Sequence, residues 1–212
     1  MDELSVHRRC AAFFGHADVI QPLIDAGARV HARETKNKDN NDKTALMLAA
    51  EKGHTQVVKI LLAAGARLED QNDWGGTALH GAIGHAETLQ FLIDAKANIE
   101  HKNKWGMTPL MCAARDAEEI DSARLLAEAG ADLDARDDKG LDALAHARGN
   151  MRRDREGMTA GMKAIYNERD ERRRRAEEKR QREVEEIGRT TPVAQTAIKV
   201  SKPLAFRPKA KT

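Results

Sequence analysis

The side chains of this 212-residue chain that could do chemistry are eight histidines and two cysteines. Metal binding would need them grouped, and His7 with Cys10 has no second chelating pair at the spacing a zinc site uses. Three histidines recur instead in Gly-His pairs, Gly15-His16, Gly53-His54 and Gly84-His85. Their placement keeps step with a longer period, so they read as parts of a scaffold. Cys10 and Cys112 are too far apart to outline a disulfide framework, and isolated thiols usually behave as small buried hydrophobes. No Gly-x4-Gly-Lys-Ser/Thr phosphate loop, nucleophile elbow or H-E-x-x-H motif occurs. The chain reads as a non-enzyme that calls for no cofactor and no metal.

A scaffold must then account for the residues. Aromatics make up 3% of the chain, so any core is aliphatic, built from Ala, Leu, Ile, Val and Met, which suits closely packed helices. No run approaches the roughly 18 apolar residues of a membrane span, and the opening M-D-E-L-S-V-H-R-R lacks the apolar segment of a secretion signal. A cytoplasmic protein without a transmembrane segment is expected. The formal charge of +2 conceals a polarity. Residues 1–149 carry 18 Lys and Arg against 24 Asp and Glu, whereas residues 187–212 carry six Lys and Arg and no acid.

The period is visible on alignment. T-A-L-M-L-A-A from Thr44, T-A-L-H-G-A-I from Thr77, T-P-L-M-C-A-A from Thr108 and D-A-L-A-H-A-R from Asp142 start 33, 31 and 34 residues apart. A second signal keeps step: D-A-G-A at Asp25, A-A-G-A at Ala63, D-A-K-A at Asp94 and E-A-G-A at Glu128. Each unit reads as helix, turn, helix and extended loop. The threonine can accept a backbone N–H at a helix start, Gly53 and Gly84 allow the left-handed turn that ends a short helix, and V-V-K-I-L-L, T-L-Q-F-L-I and S-A-R-L-L-A carry apolar stripes. Helices this short gain their stability by stacking on neighbours.

These residues resemble the ankyrin repeat, whose T-P-L-H-x-A-A, Gly-His and G-A-x-x-N signatures match closely in the units beginning near Asp39, Asn72 and Asn103. The resemblance covers roughly residues 1–149, about three full repeats with partial end units. It implies an all-α solenoid of stacked helix pairs with projecting loops, and structural hydrogen bonds from His16, His54, His85 and His80. In the first unit His7-Arg8-Arg9 stands where apolar residues belong, which fits an end unit facing water, and Pro22 falls inside a helix it should bend. The polar stretch from Glu34 to Lys43 lengthens the first loop: Gly27 and Thr44 are 17 residues apart, against 12 for the corresponding intervals from Gly65, Lys96 and Gly130.

Function in such a scaffold is expected at the loop tips and first helices. The two tryptophans, Trp74 and Trp105, fall at equivalent places just before Gly75 and Gly106, side by side on one edge at about the 10 Å spacing of packed helices. Two accounts stand. Either each indole packs over the next loop and stiffens the row, or the pair anchors a partner, as tryptophans at binding hot spots do. Asp73, Lys104 and Met107 add contacts to that edge, and Glu51, Lys52, Arg115 and Asp116 lie at the ends of first helices. The expected partner is another protein, bound by a monomer acting as adaptor, scaffold or regulator.

Beyond residue 149 the pattern changes. Residues 150–187 read as an extension in which Met158, Met162 and Ile165 form a narrow stripe for a capping helix, followed by a helix held by acid-first pairs four apart such as Glu171 and Arg175. Residues 188–212, with three prolines and only positive charge, read as a disordered tail. That tail supports the alternative function, contact with nucleic acid or another anionic surface.

Overall fold

The computed structural model describes residues 3–33, 42–115, 119–149 and 155–190, and among them the regular elements are ten helices with no strand. The first pair is α1 (Glu3–Phe14) with α2 (Ala17–Asp25), the second α3 (Ala45–Glu51) with α4 (Thr55–Ala63) and the third α5 (Ala78–Gly81) with α6 (Ala86–Asp94). They are followed by α7 (Pro109–Arg115) with α8 (Ile120–Glu128), then α9 (Ala143–Gly149) and α10 (Arg155–Thr190). First helices pack in series, α1 on α3, α3 on α5, α5 on α7 and α7 on α9, and the second helices α2, α4, α6 and α8 do the same beside them.

Local chemistry sets these boundaries. Thr44 Oγ1 accepts from Met47 N at 3.3 Å, Thr108 Oγ1 from Met111 N at 3.4 Å, and Asp142 Oδ1 from Ala145 N at 2.8 Å, each supplying a partner for a first-turn amide. Lys96, which replaces the usual glycine after α6, is held at φ 68. The unit that is two residues short in sequence has a first helix of four residues, α5, where α3 and α7 have seven. Leu46, Leu79 and Leu110 of the first helices, with Val57, Leu61, Leu89, Leu92 and Leu126 of the second helices, are at most 2% exposed. Polar pairs tie successive units: Thr55 of α4 and Thr88 of α6 meet through their hydroxyls at 2.8 Å, and Gly84 N, in the turn between α5 and α6, donates to Ser122 Oγ of α8 at 3.0 Å.

The first unit departs from expectation. Arg8 and Arg9 do not face water; both are buried, with Ser5, on the inner side of α1. Helical phase explains it, since Ser5, Arg8, Arg9 and Ala12 recur at the i, i+3, i+4, i+7 spacing of one buried face, whereas Val6, Phe13 and Phe14 are exposed. Helix α2 runs unbroken through Pro22, whose carbonyl accepts from Ala26 N at 3.0 Å. The greater part of the long first loop, residues 34–41, lies outside the described residues, as does the basic tail from residue 191.

The chain divides into two units, Met1–Tyr166 and Asn167–Thr212. Within the first, Met162 and Ile165 are buried in the core and the Tyr166 hydroxyl donates to Leu133 O. The side chain of Met158 is outside those described. Helix α10 continues to Thr190 without a break at residue 188. In the second unit, Arg175 pairs with Glu171 at 3.3 Å and Lys179 with Glu183 at 3.8 Å on solvated surface. Such pairs contribute about 0.2–0.5 kcal/mol each.

Candidate functional site

The loops that precede each first helix are shaped by one recurring side chain. Asn72 Oδ1 accepts from Trp74 N at 2.9 Å and Gly76 N at 2.8 Å; Asn103 Oδ1 accepts from Trp105 N at 3.0 Å and Met107 N at 3.1 Å. Asp137 Oδ1 repeats the pattern with Lys139 N and Leu141 N, both at 2.9 Å. Each loop is therefore folded around a side-chain oxygen that mimics a backbone carbonyl. Adjacent loops then join main chain to main chain: Lys104 N donates to Trp74 O at 2.9 Å and Asp138 N to Trp105 O at 3.2 Å. Asn72 and Asn103 each stand two residues before a tryptophan, which is the signal the sequence offers for them, whereas Asp137 stands two residues before Lys139.

This frame presents the indoles. Trp74 and Trp105 are 45% and 52% exposed, so the loops place large apolar rings in solvent. Their centroids are 6.4 Å apart and the planes tilt by 45°. That is closer than the 10 Å read from unit spacing, and the loops that carry the rings are joined directly through Lys104 N and Trp74 O. Both rings line a cavity of about 200 Å³, together with Met47, Gly81, Cys112, Lys43 and Glu51.

Several polar groups lining the cavity are paired within the chain. Lys43 Nζ and Glu51 Oε2 form an ion pair at 2.5 Å. His80 receives Thr77 N on Nδ1 at 3.3 Å and donates from Nε2 to Met107 O at 3.3 Å, bridging two units. Burial, together with the nearby His101 and against the pull of the Met107 carbonyl, lowers the His80 pKa to about 4, so the ring is neutral. Asn103 Nδ2 lies 3.8 Å from Cys112 Sγ. Burial pushes the Cys112 thiol up to about 11, which disarms it as a nucleophile. Cys10, by contrast, is exposed and does not enter the core as its type led us to expect.

The expected site residues divide. Trp74, Trp105 and Glu51 line one cavity, Lys104 is joined to Trp74 through its main chain, and Asp73 is exposed beside them. Lys52 turns instead to the preceding unit, its Nζ 4.8 Å from the Phe13 ring centroid. Met107 is 4% exposed and packs in the core, so it offers no surface to a partner. Arg115, exposed at the end of α7, reaches back with Nη1 3.9 Å from Met107 Sδ. Asp116 lies outside the described residues.

The recurrent histidines join units: His54 Nε2 donates to Phe13 O at 3.0 Å and His85 Nε2 to Glu51 O at 2.9 Å. Among the described residues no cluster of three or more His, Cys, Asp or Glu side chains could hold a metal ion, and no helix is long and apolar enough to cross a membrane.

Helix pairs stacked in series, locked by capping threonines and inter-unit histidines and edged by a row of joined loops, define an all-α repeat solenoid. The family model described as ankyrin repeats (3 copies) matches residues 9–103, 69–137 and 84–172, and the chain belongs to the ankyrin repeat family. Ankyrin repeats generally mediate protein–protein interaction and are typically non-catalytic.

Proposed function

We propose that this protein is a non-catalytic binding module of a cytoplasmic compartment, an adaptor, scaffold or regulator that acts as a monomer. It holds a partner protein along the edge formed by the loops and first helices. The observation that carries this reading is the Trp74–Trp105 pair. Two large rings are kept about half exposed on loops stiffened by Asn72, Asn103 and inter-loop hydrogen bonds. Exposed tryptophans on a rigid frame lose little conformational freedom on binding, which is why such residues dominate interface energetics. Glu51, Lys104, Asp73, Arg115 and Lys52 are the further residues this reading assigns to the binding edge. The organisation behind it is a repeat body over residues 1–149, a helical extension over 150–187 and a basic tail over 188–212.

The test is capture of a partner by the full chain, repeated with Trp74→Ala and Trp105→Ala combined. Loss of the partner with helicity unchanged supports the module. Unfolding of the double variant, or undiminished capture, rejects this edge. The second reading rests on the six basic residues and no acid over 187–212. It requires that deleting 188–212 abolish a salt-sensitive association with nucleic acid or anionic vesicles.

A further inference from the structure

The cavity lined by the two tryptophans is lined at one position by a glycine. At the fourth position after the capping residue the units carry Leu48, Gly81, Cys112 and His146. Only the unit between the two indoles has no side chain there, and Gly81 is among the residues lining the cavity. The glycine is not demanded by its backbone. It lies in α5, and a Cβ built on it would be 3.5 Å from Glu51 N and Met47 O, which is ordinary contact. Glycine there seats α5 against the backbone of α3 and adds no side chain to the cavity lining.

From this we infer that the Trp74–Trp105 cavity is a pocket for a single large uncharged apolar side chain on an extended segment of a partner protein, admitted by Gly81. This rests on the binding-module reading and specifies what that edge selects. Size supports it: about 200 Å³ is below the roughly 300–1,000 Å³ of small-molecule sites but sufficient for one aliphatic or aromatic side chain. Charge supports it as well. Lys43 and Glu51 neutralise each other at 2.5 Å, His80 is neutral, and the Asn72 and Asn103 oxygens are occupied by their own loops. An ionised side chain would be desolvated without a partner there, whereas an apolar one would gain the indole faces and Met47.

The experiment uses the chain's own tryptophans, both at the pocket mouth, as the reporter. Random twelve-residue peptides displayed on phage are selected on the full-length protein, and the selected peptides are titrated by indole fluorescence. The expected result is a set sharing one Leu, Ile, Met or aromatic residue whose replacement by Ser removes binding. Gly81→Leu, which introduces the residue already carried at Leu48, should weaken those peptides by at least about tenfold, the effect of leaving one large apolar side chain unburied. Gly81→Ala should weaken them less.

If the selected peptides lose binding to the Trp74→Ala, Trp105→Ala chain but bind Gly81→Leu unchanged, the edge stands as a binding surface and the pocket inference falls. If their binding is unaffected by the tryptophan substitutions, the edge reading falls instead. Failure to select any peptide that alters indole emission overturns the inference, as does sedimentation showing a dimer that Gly81→Leu dissociates, since the occupant would then be a second copy.

Discussion

Gly53 and His85 compete for one space: a Cβ on Gly53 would stand 2.6 Å from His85 Nδ1, while the same ring donates from Nε2 to Glu51 O. Gly53 also has φ 71, where an L side chain is strained. Gly53→Ala should therefore destabilise the chain by about 2–4 kcal/mol, combining the left-handed strain with overpacking. His85→Ala should cost about 1–3 kcal/mol through the unpaired carbonyl. The double variant should be less destabilised than the sum, because removing the ring relieves the clash but not the φ strain. Urea unfolding of the four chains checks this, and additivity would refute the shared space.

Lys96 stands in the left-handed region at φ 68, where the matching positions at Gly65 and Gly130 carry glycine. The strain there is about 1–2 kcal/mol, partly offset by glycine's greater freedom in the unfolded chain. Lys96→Gly should raise stability by about 0.5–1 kcal/mol, read as a higher urea midpoint at an unchanged denaturant slope.

Asp137 is buried with Oδ2 2.9 Å from His146 Nε2. Burial opposes its charge, but the Leu141 N–H, the His146 ring and the Lys139 N–H together outweigh that and hold the carboxyl below its ordinary value. A carboxylate depressed in the folded state contributes stability that is present above the unfolded value, about 3.9, and is lost as pH falls through the lower folded value. Asp137→Asn should keep the turn, as Asn72 and Asn103 do, and lose the charge. The stability gap between wild type and variant should shrink as pH drops below about 4. Thermal melts across that range check it, and a gap that widens in acid would contradict the assignment.

Met162 is fully buried against the repeat core, whereas Val184, farther along α10, is 59% exposed. Met162→Ala should cost about 2–5 kcal/mol and Val184→Ala less than about 0.5 kcal/mol. Equal effects would show that Met162 does not seal the stack.

Much of this molecule was legible in the sequence. The Thr44, Thr77 and Thr108 signals, the Gly-His pairs and the aliphatic stripes set helix starts, helix ends and buried faces, because capping, left-handed turns and helical periodicity act within a few residues. The same locality identified Lys96 as the odd residue at its turn. The tertiary structure decided the rest, because it depended on which side chains meet across units. Arg8 and Arg9 were read as solvated, and helical phase buried them. Met107 was read as a surface contact, and the neighbouring units enclosed it. Trp74 and Trp105 were placed a repeat apart, and their side chains closed to 6.4 Å. The pocket at Gly81 has no local sequence signal, since a cavity is a property of packed surfaces and this one is lined by Met47, Gly81 and Cys112 from three successive units.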